Sequence, residues 1–168
     1  MTAEDAARFG DVVVVSVPFG RYLELPTDGV AAKVVIDTNN YYPGRDGHFE
    51  ELDSDRTTSS ELLQAHLSGA RVVKAFNAIH WESLRELGRP SGDPQRIGIP
   101  ISGDDEKAKR IAADLIDQIG FDAVDAGTRR RRTEAPTGKP HVRGEFQHRR
   151  TPRPPCRLTA AASRRRRW

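Results

Sequence analysis

The chain has 168 residues, 36% of them hydrophobic and 30% charged, which allows one domain of ordinary size or one domain plus a tail and excludes two full catalytic domains. Its net charge of +3 averages two unlike pieces, because residues 129–168 hold 14 Lys and Arg against only Glu134 and Glu145, a net of +12, leaving residues 1–128 at −9. The single cysteine, Cys156, excludes an internal disulfide and stands without Cys or His at zinc-ligand spacing, so no metal site is expected.

Met1 to Gly10 carries Glu4 and Asp5 and has no apolar run behind basic residues, which argues against a secretory leader. The longest uncharged apolar stretch, Val12 to Gly20, is far short of the roughly 20 residues that span a bilayer. The expectation is a cytoplasmic protein without a membrane partner. From Asp11 onward, short Val and Ile runs alternate with helix-like stretches, the pattern of a parallel sheet covered by helices. Five strands are predicted, at Val12–Val17, Lys33–Asp37, Arg71–Phe76, Ile97–Ser102 and Phe121–Asp125, mostly apolar on consecutive residues as strands buried on both faces should be. A helix is expected from about Ser60 to Leu67, since Thr58 and Glu61 have capping-box spacing and Gly69 can close its end. The clearest helix lies between the last two strands. There Ala108, Ile111, Ala112, Leu115, Ile116 and Ile119 form one apolar face, Asp104, Asp105 and Glu106 favour the first turn, and Gly120 ends it. The fold class is therefore α/β, a partial Rossmann-like, doubly wound and mainly parallel sheet over residues 1–128.

In such a sheet ligands bind beyond the carboxyl ends of the strands. Three of those ends are rich in suitable side chains: Ser16-Val17-Pro18-Phe19-Gly20, Asp37-Thr38-Asn39-Asn40-Tyr41-Tyr42, and Lys74 through Phe76-Asn77-Ala78-Ile79-His80-Trp81. Gly20 would permit close backbone approach to a ligand. Amide hydrogen bonds beside flat apolar surface suit a planar heteroaromatic ligand better than a phosphate or a metal. Taken singly, each end also reads as an ordinary turn, with Asp37 capping the residues after it and the aromatics covering a sheet edge. His48 and His80 have no partnered Ser, Cys or acid at a recognisable spacing, so a hydrolase triad is unsupported, and His66 reads as a partly buried histidine with one hydrogen bond. No two glycines are separated by a single residue, so the G-x-G-x-x-G dinucleotide fingerprint is absent from this sequence.

Asp11 to Pro18, Val34 to Tyr42, Val72 to Ile79, and above all Ser102-Gly103-Asp104-Asp105 through Asp125-Ala126-Gly127 resemble the NADPH-dependent coenzyme F-420 reductase family over about residues 3–128. The resemblance implies an oxidoreductase in which an NADP-binding Rossmann domain exchanges hydride with a deazaflavin, coenzyme F-420, by positioning the two rings without a catalytic side chain. It would place Ser16, Pro18, Phe19, Asn39 and Asn40 along the nicotinamide half of NADP, and Asn77 and Ile79 against the deazaflavin. The family pattern begins with a strand, a Gly-rich phosphate turn and a helix that have no counterpart in this sequence, so impaired cofactor binding is expected of what reads as a fragment. The partners implied are small-molecule redox cofactors, with a homo-oligomer left open.

After Gly127 and Thr128 the pattern stops at Arg129-Arg130-Arg131-Arg132. Residues 129–168 contain 13 Arg and five Pro, a composition expected of a shifted reading frame in GC-rich DNA or of a disordered basic tail. A nucleic-acid-binding arm ranks below these readings, because Phe146 and Trp168 are the only aromatics there and offer no stacking platform.

Overall fold

A computed structural model describes residues 1–128. The expectations placed on residues 129–168, a disordered tail, a shifted frame or a nucleic-acid arm, lie outside the described residues. In chain order the elements are α1 (Ala3–Phe9), β1 (Val12–Val15), a 3-10 turn (Phe19–Glu24), β2 (Val34–Asp37), α2 (Pro43–Asp46), α3 (Glu50–Asp53), α4 (Ser59–His66), β3 (Arg71–Lys74), α5 (Trp81–Glu86), β4 (Gly98–Ile101), α6 (Glu106–Gln118) and β5 (Asp122–Asp125).

All five predicted strands form, β4 shorter than predicted at both ends and the other four at one end. β1, β2 and β3 pair in parallel in that order, with Val35 opposite Val13 and Val72. β4 and β5 form a second parallel pair, joined to β3 through an antiparallel bridge between Lys74 and Ser102. Because side chains alternate across a strand, consecutive apolar residues serve two cores. Val15, Val35 and Val72 pack on one face with Phe19, Tyr22, Tyr41, Leu63 and Leu67. Val34, Ile36, Val73, Ile99 and Ile101 pack on the other with Ala108, Ala112, Ile116 and Phe121. This is the α/β, parallel-stranded architecture that the order of segments predicts.

The helices also follow their sequence signals. Thr58 and Glu61 form the predicted capping box at α4, and Asp105 caps α6 by accepting from the Ala108 N–H. Gly120 ends α6 with φ +94°, a conformation that a β-carbon would strain. The predicted apolar face of α6 is only partly covered. Ala108, Ala112 and Ile116 are buried, while Ile111 and Ile119 are exposed, so the contact stripe is narrower than the apolar one. The second core instead takes Phe121, fully buried just beyond the helix.

Among the described residues no helix is long and apolar enough to cross a membrane, and no group of three or more His, Cys, Asp or Glu side chains could hold a metal ion.

Candidate functional site

The carboxyl ends of β1 and β2 enclose a cleft of about 310 Å³ lined by Ser16, Val17, Pro18, Thr38, Asn39, Asn40, Tyr42 and Arg45. Four of the seven sequence-predicted site residues, Ser16, Pro18, Asn39 and Asn40, therefore meet in one place. Asn77 reaches it indirectly: its Nδ2 donates to Asn40 Oδ1 at 3.2 Å, and Asn40 Nδ2 donates to the Asn77 carbonyl at 2.9 Å. Ile79 packs partly buried against the second core cluster and does not line the cleft.

Phe19 needs a correction. Its ring is fully buried, stacked on Tyr22 at 4.7 Å between centroids and edge-on to Tyr41 and Phe49, so it supports the cleft wall from inside and offers no surface to a ligand. The ring points inward because the 3-10 turn that begins after Pro18 folds its apolar residues Phe19 and Tyr22 onto the sheet. Gly20 is corrected too. A β-carbon there would lie 2.6 Å from the Asp46 carbonyl oxygen, so its close approach is to the α2 backbone and not to a ligand.

Asn39 is the most informative residue. It is 97% buried, its Oδ1 accepts from the Val17 N–H at 2.9 Å, and its Nδ2 finds no hydrogen-bond partner among the described residues. A buried amide donor left unpaired costs roughly 1–3 kcal/mol, so this side chain, part of the cleft wall, keeps hydrogen-bonding capacity to spare. Asp37, two residues earlier, caps the turn by accepting from the Asn39 N–H at 2.9 Å.

Arg45 forms the rim, with its guanidinium 4.9 Å from the Tyr42 ring centroid and Nη2 donating to the Asn40 carbonyl at 2.8 Å. Burial works against ionisation of Asp46, but hydrogen bonds from Arg45 and from the backbone of Tyr42 and Gly20 hold its carboxyl below the usual range. The Arg45 charge is thus matched by Asp46 at 2.8 Å, and the rim presents a planar cation–aromatic stack instead of an unbalanced charge. Sequence reasoning missed Arg45. The available signal was its spacing three residues after Tyr42, which places the two side chains on one side of a helical turn.

Behind the rim, the Tyr41 hydroxyl donates to Asp53 Oδ1 at 2.7 Å and accepts from the Phe49 N–H at 3.1 Å. His48 Nδ1 lies 2.9 Å from Asp53 Oδ2, so this histidine does have an acid partner five residues away. The pair orients no nucleophile. Its third member is the buried Tyr41, and burial raises that phenol above its ordinary range. His66 is partly buried with one hydrogen bond, to the Leu25 carbonyl at 2.9 Å, as its sequence context suggests.

No protein-family model matches the chain. It is 29% identical over 130 residues to the F420-dependent NADP reductase of Methanocaldococcus jannaschii, covering 74% of this chain and 56% of that protein. The chain is related to the F420-dependent NADP reductases. It spans a little over half the length of this relative. Among solved structures, the hypothetical protein SMa0349 of Sinorhizobium meliloti superposes with a TM-score of 0.63 at 27% identity, over 77% of this chain and 62% of that one. A protein from Arthrobacter sp. FB24, assigned as an F420-dependent NADP reductase, superposes with a TM-score of 0.64 at 22% identity over 76% of this chain and 60% of that one, a likeness of fold.

Proposed function

We propose that the chain is a member of the oxidoreductase class, with residues 1–128 forming a Rossmann-like domain that receives the nicotinamide end of NADP in the cleft between the β1 and β2 ends. The observation that carries the reading is the buried, unpartnered Nδ2 of Asn39, which suits the carbonyl of a nicotinamide carboxamide. The residues fit that group: Asn39 would donate, Pro18 and Tyr42 would flank the ring, and Ser16 and Asn40 would supply further polar contacts. The cleft volume of about 310 Å³ is at the low end for small-molecule sites, enough for the nicotinamide half and too small for a dinucleotide. When bound, the cofactor supplies the hydride, and the protein's part is orientation and exclusion of water. Coenzyme F-420 is the proposed second substrate, by analogy with the relative named above, with Asn77 and Ile79 on the side it would approach. With no G-x-G-x-x-G turn in this sequence to hold the pyrophosphate, affinity for NADP is weak. The reading also carries a cytoplasmic setting, where these cofactors are found. Its nucleic-acid alternative rests on the charge of residues 129–168 alone.

Titration of the purified chain with NADPH, followed by nucleotide fluorescence, tests the reading. Binding weaker than micromolar in the native chain and about tenfold weaker again in Asn39→Ala is the expected result. Absence of binding at millimolar NADPH, or equal affinity in both proteins, rejects the cleft as the nicotinamide site. Micromolar affinity in the native chain would instead reject the impairment.

A further inference from the structure

Asp37 and Lys74 occupy partner positions in the parallel register at the carboxyl ends of β2 and β3, at 0% and 2% exposure. Lys74 Nζ lies 3.2 Å from Asp37 Oδ2. Burying two charges costs more than their attraction returns unless geometry and extra hydrogen bonds make up the difference, and apolar residues of similar size commonly serve stability as well. In a sheet built from valine and isoleucine, this pair therefore calls for an explanation other than stability.

Its hydrogen bonds supply one. Asp37 Oδ1 accepts from the Asn39 N–H at 2.9 Å, while Lys74 Nζ donates to the Asn39 carbonyl, so the pair grips the Asn39 backbone from both sides. The remaining contacts go to the start of α4: Ser60 Oγ donates to Asp37 Oδ2 at 2.6 Å, and Ser59 Oγ lies 3.4 Å from Lys74 Nζ. From the backbone so fixed, the Asn39 side chain extends to the Val17 N–H and into the wall of the cleft. Lys74 itself is no nucleophile, since its amine is enclosed and engaged with Asp37, Asn39 and Ser59.

We propose that the buried Asp37–Lys74 pair is a positioning device, which holds the turn after β2 so that the Asn39 carboxamide oxygen ties down the Val17 N–H and its Nδ2 is left to donate to a carbonyl-bearing ligand. This rests on the reading of the cleft as a ligand site, and its primary test is made without ligand so that the two can fail separately.

The test replaces both charges at once, Asp37→Leu with Lys74→Met, and compares amide hydrogen exchange at Val17, whose N–H is held by Asn39, with exchange at Val35 and Val73 in the strand cores. Exchange at Val17 should accelerate at least tenfold in the variant, with Val35 and Val73 changing less than threefold. A uniform acceleration at all three would assign the pair to the core, and an unchanged Val17 would show that Asn39 is held without it; either result overturns the proposal. Should the double variant fail to fold, the same comparison in Ser60→Ala decides by the same criteria at a smaller scale, two- to fivefold at Val17. In a second arm, NADPH affinity should fall at least tenfold in the double variant relative to the native chain, and an unchanged affinity overturns the proposal. Failure of the native chain to bind NADPH rejects the cofactor reading and leaves the exchange result to decide the positioning role.

Discussion

The two faces of the sheet are covered in opposite ways. On one, the 13-residue helix α6 lays a regular stripe of Ala108, Ala112 and Ile116 over β2, β3 and β4. On the other, a 3-10 turn, two four-residue helices and α4 cover the strands through an aromatic cluster of Phe19, Tyr22, Tyr41 and Phe49, stitched by hydrogen bonds from Tyr41 and His66. The α6 face is held by repetition and the aromatic face by individual contacts. The cleft opens beside the aromatic face, where irregular backbone can turn polar groups such as Asn39 toward a ligand while a packed scaffold keeps them there.

The contrast can be broken most forcefully at Phe19. Replacing it with alanine should cost about 3–5 kcal/mol in urea denaturation and also abolish NADPH binding in the remaining folded fraction, because the ring follows Pro18 directly and packs on Tyr41, which stands between the cleft residues Asn40 and Tyr42. Ile116→Ala, at a fully buried position under α6, should cost about 2–5 kcal/mol and leave affinity per folded molecule unchanged. Equal effects of the two on binding would erase the functional difference between the faces.

Tyr41→Phe leaves the Phe49 N–H without its acceptor and should cost about 1–3 kcal/mol, read from the same denaturation curves. The native phenol adds a pH signature. Burial raises its pKa on folding, so the neutral form is favoured in the folded state, and the associated stability is complete below the unfolded value of about 10 and disappears as pH rises through the higher folded one. Melting temperature should drop over that alkaline window in the native chain more steeply than in Tyr41→Phe.

A smaller effect separates the two long helices. Thr58→Ala removes one half of the α4 capping box and should cost about 1 kcal/mol, with Ser59 and Ser60, the next two residues, carrying the disturbance to the buried charges. Backbone exchange in α4 should rise while α6 is unaffected. The smallest effect is expected at low pH on the α6 side. The Asp105 carboxyl is lowered by the Ala108 N–H that it caps, and that of Asp125 by Lys109, so both contribute above about pH 4 and stop contributing as pH falls through their folded values. Lys109→Met should flatten the acid limb of a melting-temperature profile.

The α6 face was the more legible of the two in the sequence. Apolar residues at helical spacing, acids at the start and Gly120 at the end agree with one another, and β1, β2 and β3 are each announced by a run of valine and isoleucine. The aromatic face carries weaker local signals. Pro43–Asp46 and Glu50–Asp53 are too short for periodicity to reveal, and the segment is tied together by the edge-on packing of Tyr41 and Phe49 and by the Phe49 N–H bond to the Tyr41 hydroxyl. Residue types at the strand ends did indicate the cleft, since Ser16, Pro18, Asn39 and Asn40 line it. The direction of Phe19 was not legible, because an aromatic after a strand serves equally as ligand surface or as core until the next turn is known. The Asp37–Lys74 pairing, 37 residues apart, had one local trace: a charged residue closing each of two apolar runs.

Phe76, between the last residue of β3 and Asn77, has a left-handed backbone with φ +63°, a conformation that costs a bulky side chain roughly 1–2 kcal/mol. Its ring nevertheless packs against the second core cluster. Substitution at this position is therefore constrained from two directions. Glycine or asparagine would relax the backbone and leave the ring's place unfilled, whereas leucine or isoleucine would fill much of that place and keep the strain. Over generations the open routes are narrow, chiefly other flat rings such as tyrosine or histidine, and position 76 should drift more slowly than its partial burial alone would indicate.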